Sequence, residues 1–244
     1  MLLSIVKWAI GIVITLIGAI IFFPAYPFTC RTIFPYWLTS FWARAIVFIS
    51  GSRVKVVGRQ NIFRNQSYIF CCNHQSYFDI YILLGYLPYK VMFISKETVF
   101  KVPLIGWAMK ALGYIPLDRS NPRKALLSIR GALKQLEKGY SLILFPEGTR
   151  STDGRVQEFK SGSMRLAFES ASPVVPVSIY GSGKIQSKGS MEVKGQNIGL
   201  VIGKPMKPKS ATKAERSQFL KQVREVIIEN LDLAEAAVTV ALKS

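Results

Sequence analysis

The chain contains one histidine, His74, and its first carboxylate, Asp79, follows five residues later in Asn73-His74-Gln75-Ser76-Tyr77-Phe78-Asp79. An imidazole beside a carboxylate can act as a general base. The carboxylate takes the Nδ1 proton and leaves Nε2 free to accept another. Five residues of regular helix turn through about 500°, which leaves the two side chains roughly 140° apart. The pair can meet only if His74 lies in the turn before a helix and Asp79 in its first turns. Spacing alone leaves a capping or core histidine open as the other reading. A single histidine also removes His-rich metal sites and zincin motifs.

A second polar cluster, Phe145-Pro146-Glu147-Gly148-Thr149-Arg150-Ser151, follows the strand-like run Ser141–Phe145. In an α/β sheet the loops after strands face the ligand crevice. There Glu147 offers an acceptor for hydroxyls and Arg150 a cation for phosphate, although a surface ion pair is the commoner fate of these residue types. Gly113–Arg119 also ends a strand-like run on a basic residue, Arg119. The three cysteines, Cys30, Cys71 and Cys72, have no metal-ligand or redox spacing and suit a reducing compartment.

The elements that must hold these groups read as follows. Arg53–Val57, Ser67–Cys72, Val91–Ser95, Tyr114–Leu117, Ser141–Phe145 and Val174–Ile179 are strand-like. Ser76–Leu87, a segment reaching Leu112, and Gly162–Ser170 are helix-prone. Asn121-Pro122 opens a further helix as cap and first turn, and Gly139 closes it. Two more strands are expected to flank Gly195-Gln196-Asn197 as a hairpin. Thr212-x-x-Glu215 has the form of a capping box, opening a helix to about Asn230. Strands alternating with helices predict an α/β fold with a largely parallel sheet covered by helices.

The amino end differs. Leu2–Phe23 carries one charge, Lys7, and as a helix is about 33 Å long, enough for a hydrocarbon core of about 30 Å. Pro24 and Pro27 are expected to interrupt it. A second segment, about Pro35–Ser50, holds Tyr36, Trp37, Phe41 and Trp42, residues of the membrane interface. Arg44 makes it a poor crossing, and its side chain is expected to snorkel to head groups. One architecture is a single span followed by an interfacial helix. The other, favoured by Arg44 and the prolines, is a helix pair in one leaflet. A cleaved signal peptide fits poorly, because the apolar run is too long and no small-residue cleavage pattern follows it. Residues 1–50 thus read as a two-helix membrane-binding segment and residues 51–244 as the α/β domain.

Across 244 residues, half apolar and 19% charged, a disordered chain is excluded. The formal charge is +18. The first 78 residues contribute Lys7, Arg31, Arg44, Arg53, Lys55, Arg59 and Arg64 and no acid. A surplus of that size calls for a polyanionic partner. Basic residues beside an apolar segment favour an anionic phospholipid membrane. They also place the α/β domain on the cytoplasmic face of the cell membrane. No helix-turn-helix, zinc-finger or RNA-recognition pattern points to nucleic acid.

His74–Asp79, Gly113–Arg119, Phe145–Ser151 and Val175-Pro176-Val177 occur in this order. Together they resemble the four blocks of the glycerolipid acyltransferase family. The first fits N-H-x-x-x-x-D and the third fits F-P-E-G-T-R-S without a departure, and the resemblance runs from about Asn73 to Ile179. It implies transfer of a fatty acyl group from a thioester of coenzyme A or acyl carrier protein to a glycerol hydroxyl. Lysophosphatidic acid is the leading acceptor, with glycerol 3-phosphate or a lysophospholipid as rivals. A basic membrane adaptor without catalysis would have no need of this constellation. The resemblance makes His74 the base and Asp79 its partner. Glu147 and Gly148 would bind the glycerol backbone. Arg119 and Arg150 would hold the phosphate, with Lys96 and Lys160 as further candidates. The acceptor is the nucleophile, so Cys71, Cys72 and Ser76 need not be catalytic, and no metal or redox cofactor is required.

Overall fold

The computed structural model describes residues 1–63, 65–87, 90–118, 122–170, 172–208 and 212–241. Among the described residues, seven strands form one sheet: β1 (Arg53–Val57), β2 (Ile69–Cys72), β3 (Val91–Lys96), β4 (Ile115–Leu117), β5 (Ser141–Leu144), β6 (Val174–Tyr180) and β7 (Asn197–Ile202). Their order is β1-β7-β6-β2-β5-β3-β4. The run from β6 to β4 is parallel, β7 is antiparallel to β6, and β1 is parallel to β7. β2 and β5 are buried throughout, as strands covered on both faces must be, which is why they read as unbroken apolar runs. The sheet is thus largely parallel and covered by helices, as the alternation of strand and helix predicted.

The covering helices are α3 (Phe78–Tyr86), α4 (Ile105–Ala111), α5 (Pro122–Glu137), α6 (Arg165–Ser170), the single turn α7 (Ser182–Ile185) and α8 (Lys213–Ala241). Asn121, the expected cap of α5, lies outside the described residues. The capping box is present: Glu215 N–H donates to Thr212 Oγ1 (3.2 Å) and Thr212 N–H to Glu215 Oε2 (2.7 Å). α8 continues well past Asn230, because Ala234 and Val238 extend its buried stripe. At Gly199 the helix lies directly on β7, and a Cβ there would collide with the backbone of Ala234. Gly199→Ala is therefore expected to destabilise the fold by about 1–3 kcal/mol, read as a lower denaturant midpoint.

No hairpin forms at Gly195-Gln196-Asn197. Arg53 N–H donates to Gln196 O (3.0 Å), so the chain enters β7 alongside β1. The backbone just before is already engaged by the amino-terminal helix α1 (Leu2–Thr29). Lys7 Nζ donates to Val193 O (3.1 Å), Trp8 Nε1 donates to Met191 O (2.8 Å), and Val193 N–H donates to Ser4 Oγ (3.1 Å).

α1 also runs through Pro24 and Pro27 rather than stopping before them. Each interior proline costs about 3 kcal/mol, and tertiary packing offsets this. Phe22 is buried and stacks on Tyr26, Phe23 packs edge-on against Trp107, and Tyr26 OH donates to Ala111 O. Both ends of α1 therefore touch the α/β domain. α2 (Phe34–Ile49) lies between α1 and α3, joined to α1 by Trp42 Nε1 donating to Thr15 Oγ1 (3.1 Å). Arg44 does not snorkel. Its Nε donates to Gly85 O in the last turn of α3, and its guanidinium lies 5.4 Å from the Tyr86 ring. The negative end of the α3 dipole accounts for a cation in this apolar segment. Among the described residues, α1 alone is long and apolar enough to cross a membrane, and almost none of its most apolar stretch is buried.

Candidate active site

β2 lies between β5 and β6, with Cys71 opposite both Leu144 and Pro176. The loops that leave the carboxyl ends of β2 and β5 are therefore neighbours, and they carry the first and third sequence blocks. Asn73 fixes the first loop against β6: its Nδ2 donates to Ile179 O (3.0 Å) and its Oδ1 accepts from Ile179 N–H (2.8 Å).

His74 lies in the turn before α3 and Asp79 is the second residue of that helix. The separation of His74 Nδ1 from Asp79 Oδ2 is 2.8 Å. Asp79 is fully buried, and its Oδ2 also accepts from Gln75 N–H (2.7 Å) and Ser76 N–H (2.9 Å). That oxygen thus faces His74 as an acceptor, so Nδ1 carries the proton and Nε2 is left with its lone pair. Phe145 stacks on the imidazole with ring centroids 4.0 Å apart and planes at 17°, and Phe93 stacks behind Phe145 at 6.0 Å. The His74 side chain is 15% exposed, enough to meet a ligand from one side.

The third block grips the first. His74 N–H donates to Glu147 Oε1 (2.7 Å), and His74 O accepts from Ser151 N–H (2.8 Å). Glu147 Oε2 accepts from Gln157 N–H (2.9 Å). Both oxygens of this buried carboxylate are therefore occupied by backbone donors, and the residue ties three loop segments together. That differs from the hydroxyl acceptor expected from the sequence. Gly148 closes the turn on Phe145 O (3.0 Å) with φ of +75°, a conformation that favours glycine.

Burial pushes the Glu147 carboxyl above its usual range, against the pull of its two backbone N–H donors and of His74. An acid raised in the folded state binds its proton more tightly there. Stability falls as pH climbs from the unfolded to the folded value, and this slope disappears in Glu147→Gln. At neutral pH that variant is expected to cost about 1–3 kcal/mol, since its amide can accept only one of the two N–H groups. Chemical denaturation at pH 5 and pH 7 checks both statements.

Arg150 is half-buried, with its guanidinium carbon 3.7 Å from the centroid of the Tyr77 ring. Lys160 is exposed, and its N–H donates to Pro146 O (3.1 Å), which keeps it beside the third block. Lys96 is exposed at the end of β3, two strands or about 10 Å from β2. Arg119 lies outside the described residues. Its neighbour Asp118 follows β4, three strands or about 14 Å from β2, and pairs with Lys124 at 3.4 Å. Of the expected cations among the described residues, Arg150 is the one whose loop is bonded directly to the His74 backbone.

The remaining nucleophiles are unsuited to attack. Burial raises the thiols of Cys71 and Cys72 far above the usual range, which keeps them protonated. Ser76 Oγ donates to Gln186 O (2.9 Å). Tyr77, Phe145, Asn73 and Gln157 were not assigned roles from the sequence. Tyr77 and Phe145 lie inside the two long blocks, and that position was the only signal for them. An apolar cavity of about 260 Å³ opens between α1, α2, α3 and Leu104–Ile105, lined by Gly11, Thr15, Trp42, Ile46, Phe78 and Tyr81.

Comparison with known proteins gives the family and the fold. The family model described as Acyltransferase matches residues 53–180. The chloroplastic 1-acyl-sn-glycerol-3-phosphate acyltransferase LPAT1 of Arabidopsis thaliana is 35% identical over 205 residues, covering 83% of this chain and 56% of that protein. The 1-acyl-sn-glycerol-3-phosphate acyltransferase of Bacillus subtilis is 31% identical over 157 residues, covering 63% of this chain and 73% of that protein. The chain spans about half the length of the Arabidopsis protein and of a Brassica napus relative. The crystal structure of PlsC, the 1-acyl-sn-glycerophosphate acyltransferase of Thermotoga maritima, superimposes with a TM-score of 0.72 at 28% identity, covering 94% of this chain and 98% of that one. The family match takes in more than half of the chain and all four blocks, and this chain belongs to the acyltransferase family.

Proposed function

We propose that the protein transfers a fatty acyl group from an acyl thioester to the sn-2 hydroxyl of 1-acyl-sn-glycerol 3-phosphate, giving phosphatidic acid. The carrying observation is the His74–Asp79 pair, held by Glu147 and Ser151 at the carboxyl edge of the sheet beside Arg150. His74 Nε2 takes the proton of the acceptor hydroxyl as its oxygen attacks the thioester carbonyl. A carbon–oxygen bond forms, the carbon–sulfur bond breaks, and the imidazolium returns its proton to the departing thiolate. Asp79 fixes the tautomer and balances the charge of the imidazolium. The acceptor itself is the nucleophile, so the step asks for no protein nucleophile, metal or redox cofactor. Arg150 holds the acceptor phosphate, with Arg119, Lys96 and Lys160 completing the field. Glu147 serves by positioning the loops, and Gly148 lets the backbone come close to the glycerol.

The substrate's location follows from the same molecule. α1, α2 and α4 expose large apolar side chains, among them Ile12, Ile17, Ile20, Trp37, Phe41 and Trp107, which suit burial in lipid. The helix pair lies in one leaflet of an anionic phospholipid membrane, on its cytoplasmic face, and the site meets lysophosphatidic acid there. The donor, a thioester of coenzyme A or acyl carrier protein, arrives from water.

The test is acyl transfer by the full chain in phospholipid vesicles, with lysophosphatidic acid, glycerol 3-phosphate and lysophosphatidylcholine as acceptors and both donor types. Phosphatidic acid is the expected product. Efficient transfer only to glycerol 3-phosphate or only to lysophosphatidylcholine would replace the acceptor, and no transfer to any would end the proposal.

A further inference from the structure

Tyr77 lies between the two members of the His74–Asp79 pair and has no part in the chemistry above. It immediately precedes α3 and is 52% exposed. An aromatic side chain left that open needs a reason, and the structure supplies one in Arg150. At 3.7 Å from the ring centroid, the guanidinium carbon is in van der Waals contact with the π face. Main-chain contacts hold the same arginine from below. Ser151 N–H donates to His74 O (2.8 Å), and Lys188 Nζ donates to Arg150 O (3.2 Å).

The kind of contact matters. A guanidinium is planar, with five N–H donors around its edge and two weakly hydrated faces. A carboxylate partner would occupy the N–H edge. A ring on the face leaves that edge open and removes much of the freedom of a long side chain. Among the described residues no carboxylate pairs with Arg150. The arginine is thus held without its phosphate-binding edge being used, on the loop after β5, whose Ser151 is bonded to the His74 backbone.

We infer that Tyr77 is the positioning residue of the acceptor site: its ring holds the Arg150 guanidinium so that the N–H edge receives the acceptor phosphate at a fixed place relative to His74. The inference rests on the proposed role of Arg150 and adds a residue that selects phosphomonoester acceptors.

Steady-state kinetics on the full chain in vesicles, with lysophosphatidic acid varied, test it. Tyr77→Leu keeps bulk and apolarity but loses the π face. It is expected to raise the acceptor KM about five- to thirtyfold, with kcat within twofold and the donor KM unchanged. Tyr77→Phe keeps the ring, and its KM is expected to rise less than threefold. In the Arg150→Ala background, Tyr77→Leu is expected to add nothing further. A raised KM in Arg150→Ala beside an unchanged one in Tyr77→Leu overturns the inference and leaves the phosphate assignment standing. An unchanged KM in Arg150→Ala removes that assignment and the inference with it. Equal losses in Tyr77→Phe and Tyr77→Leu would place the effect in the hydroxyl, and a loss in kcat alone would place it in the His74 loop. Either result overturns the role of the ring.

Discussion

His74→Ala is expected to lower acyl transfer by about a thousandfold or more, since positioned general bases contribute roughly 10²–10⁴ and the chain has no second histidine to substitute. The fold should persist, because the backbone bonds to Glu147 and Ser151 do not involve the imidazole. Asp79→Asn is expected to behave differently from a simple loss of tautomer control. Asp79 Oδ2 already receives Gln75 N–H and Ser76 N–H, while Oδ1 is buried without a partner. An asparagine therefore turns its oxygen to those donors and to His74, and its amide nitrogen takes the unpartnered position. The tautomer survives and the charge does not. A hydrogen bond to a charged group contributes about 1.5–3 kcal/mol against about 1 for a neutral one. The difference predicts a drop in kcat of about ten- to thirtyfold, together with some loss of stability from the buried amide. Single-turnover rates, with thermal melts of each variant, measure both. Near-normal turnover in a folded His74→Ala protein would remove the mechanism. An Asp79→Asn loss as large as that of His74→Ala would mean that the oxygen is not pinned as described.

Local signals in the sequence carried the strands, the helix after His74, the capping box and the order of the four blocks. These are set by periodicity and by cap and turn chemistry within a few residues. The features it did not carry depend on partners far along the chain. The run before Gly195 reads as a strand because Met191 and Val193 alternate with charged residues. Ser4, Lys7 and Trp8, almost two hundred residues away, take its backbone groups instead. Pro24 and Pro27 read as a break until Trp107 and Ala111 are seen beneath that end of the helix. Arg44 reads as a head-group ligand until the carbonyl of Gly85 is found within its reach.

The site divides in the same way. For the His74–Asp79 pair, spacing supplied a condition, His74 in a turn and Asp79 in the first turns of a helix, and the fold meets it. For the role of Glu147 spacing supplied none. A glutamate in a loop reads as exposed, and only the adjacency of β2 and β5 brings His74 N–H and Gln157 N–H to its two oxygens. Sheet order also ranks the cations. The loop after β5 is one strand from the base, β3 is two away and β4 three. Among the described candidates, Arg150 therefore sits on the strand loop nearest the base, which is why it is proposed as the primary phosphate contact.

The second large effect concerns the membrane. The protein is expected to stay on anionic vesicles in 1 M salt, where the Debye length falls to about 3 Å and surface charge is screened. Eleven large apolar side chains exposed on α1 between Leu2 and Ile21 explain why. Each buried aliphatic side chain contributes about 1.5–3 kcal/mol, whereas each engaged basic residue adds about 1 kcal/mol that salt removes. Replacing Leu3, Ile17 and Ile20 with Asp is expected to release the protein while leaving it folded, since all three are exposed in the structure. Topology is testable on the same vesicles. A crossing helix would carry one end about 30 Å from the domain, but Lys7 and Trp8 contact residues 191–193 at one end and Tyr26 contacts Ala111 at the other. With the exposed Cys30 changed to Ser, Leu2→Cys and Ser187→Cys should both react with an impermeant thiol reagent from the same face of a sealed vesicle. Reaction of residue 2 only from the opposite face would establish a span and overturn the one-leaflet arrangement, with the acyltransferase chemistry untouched.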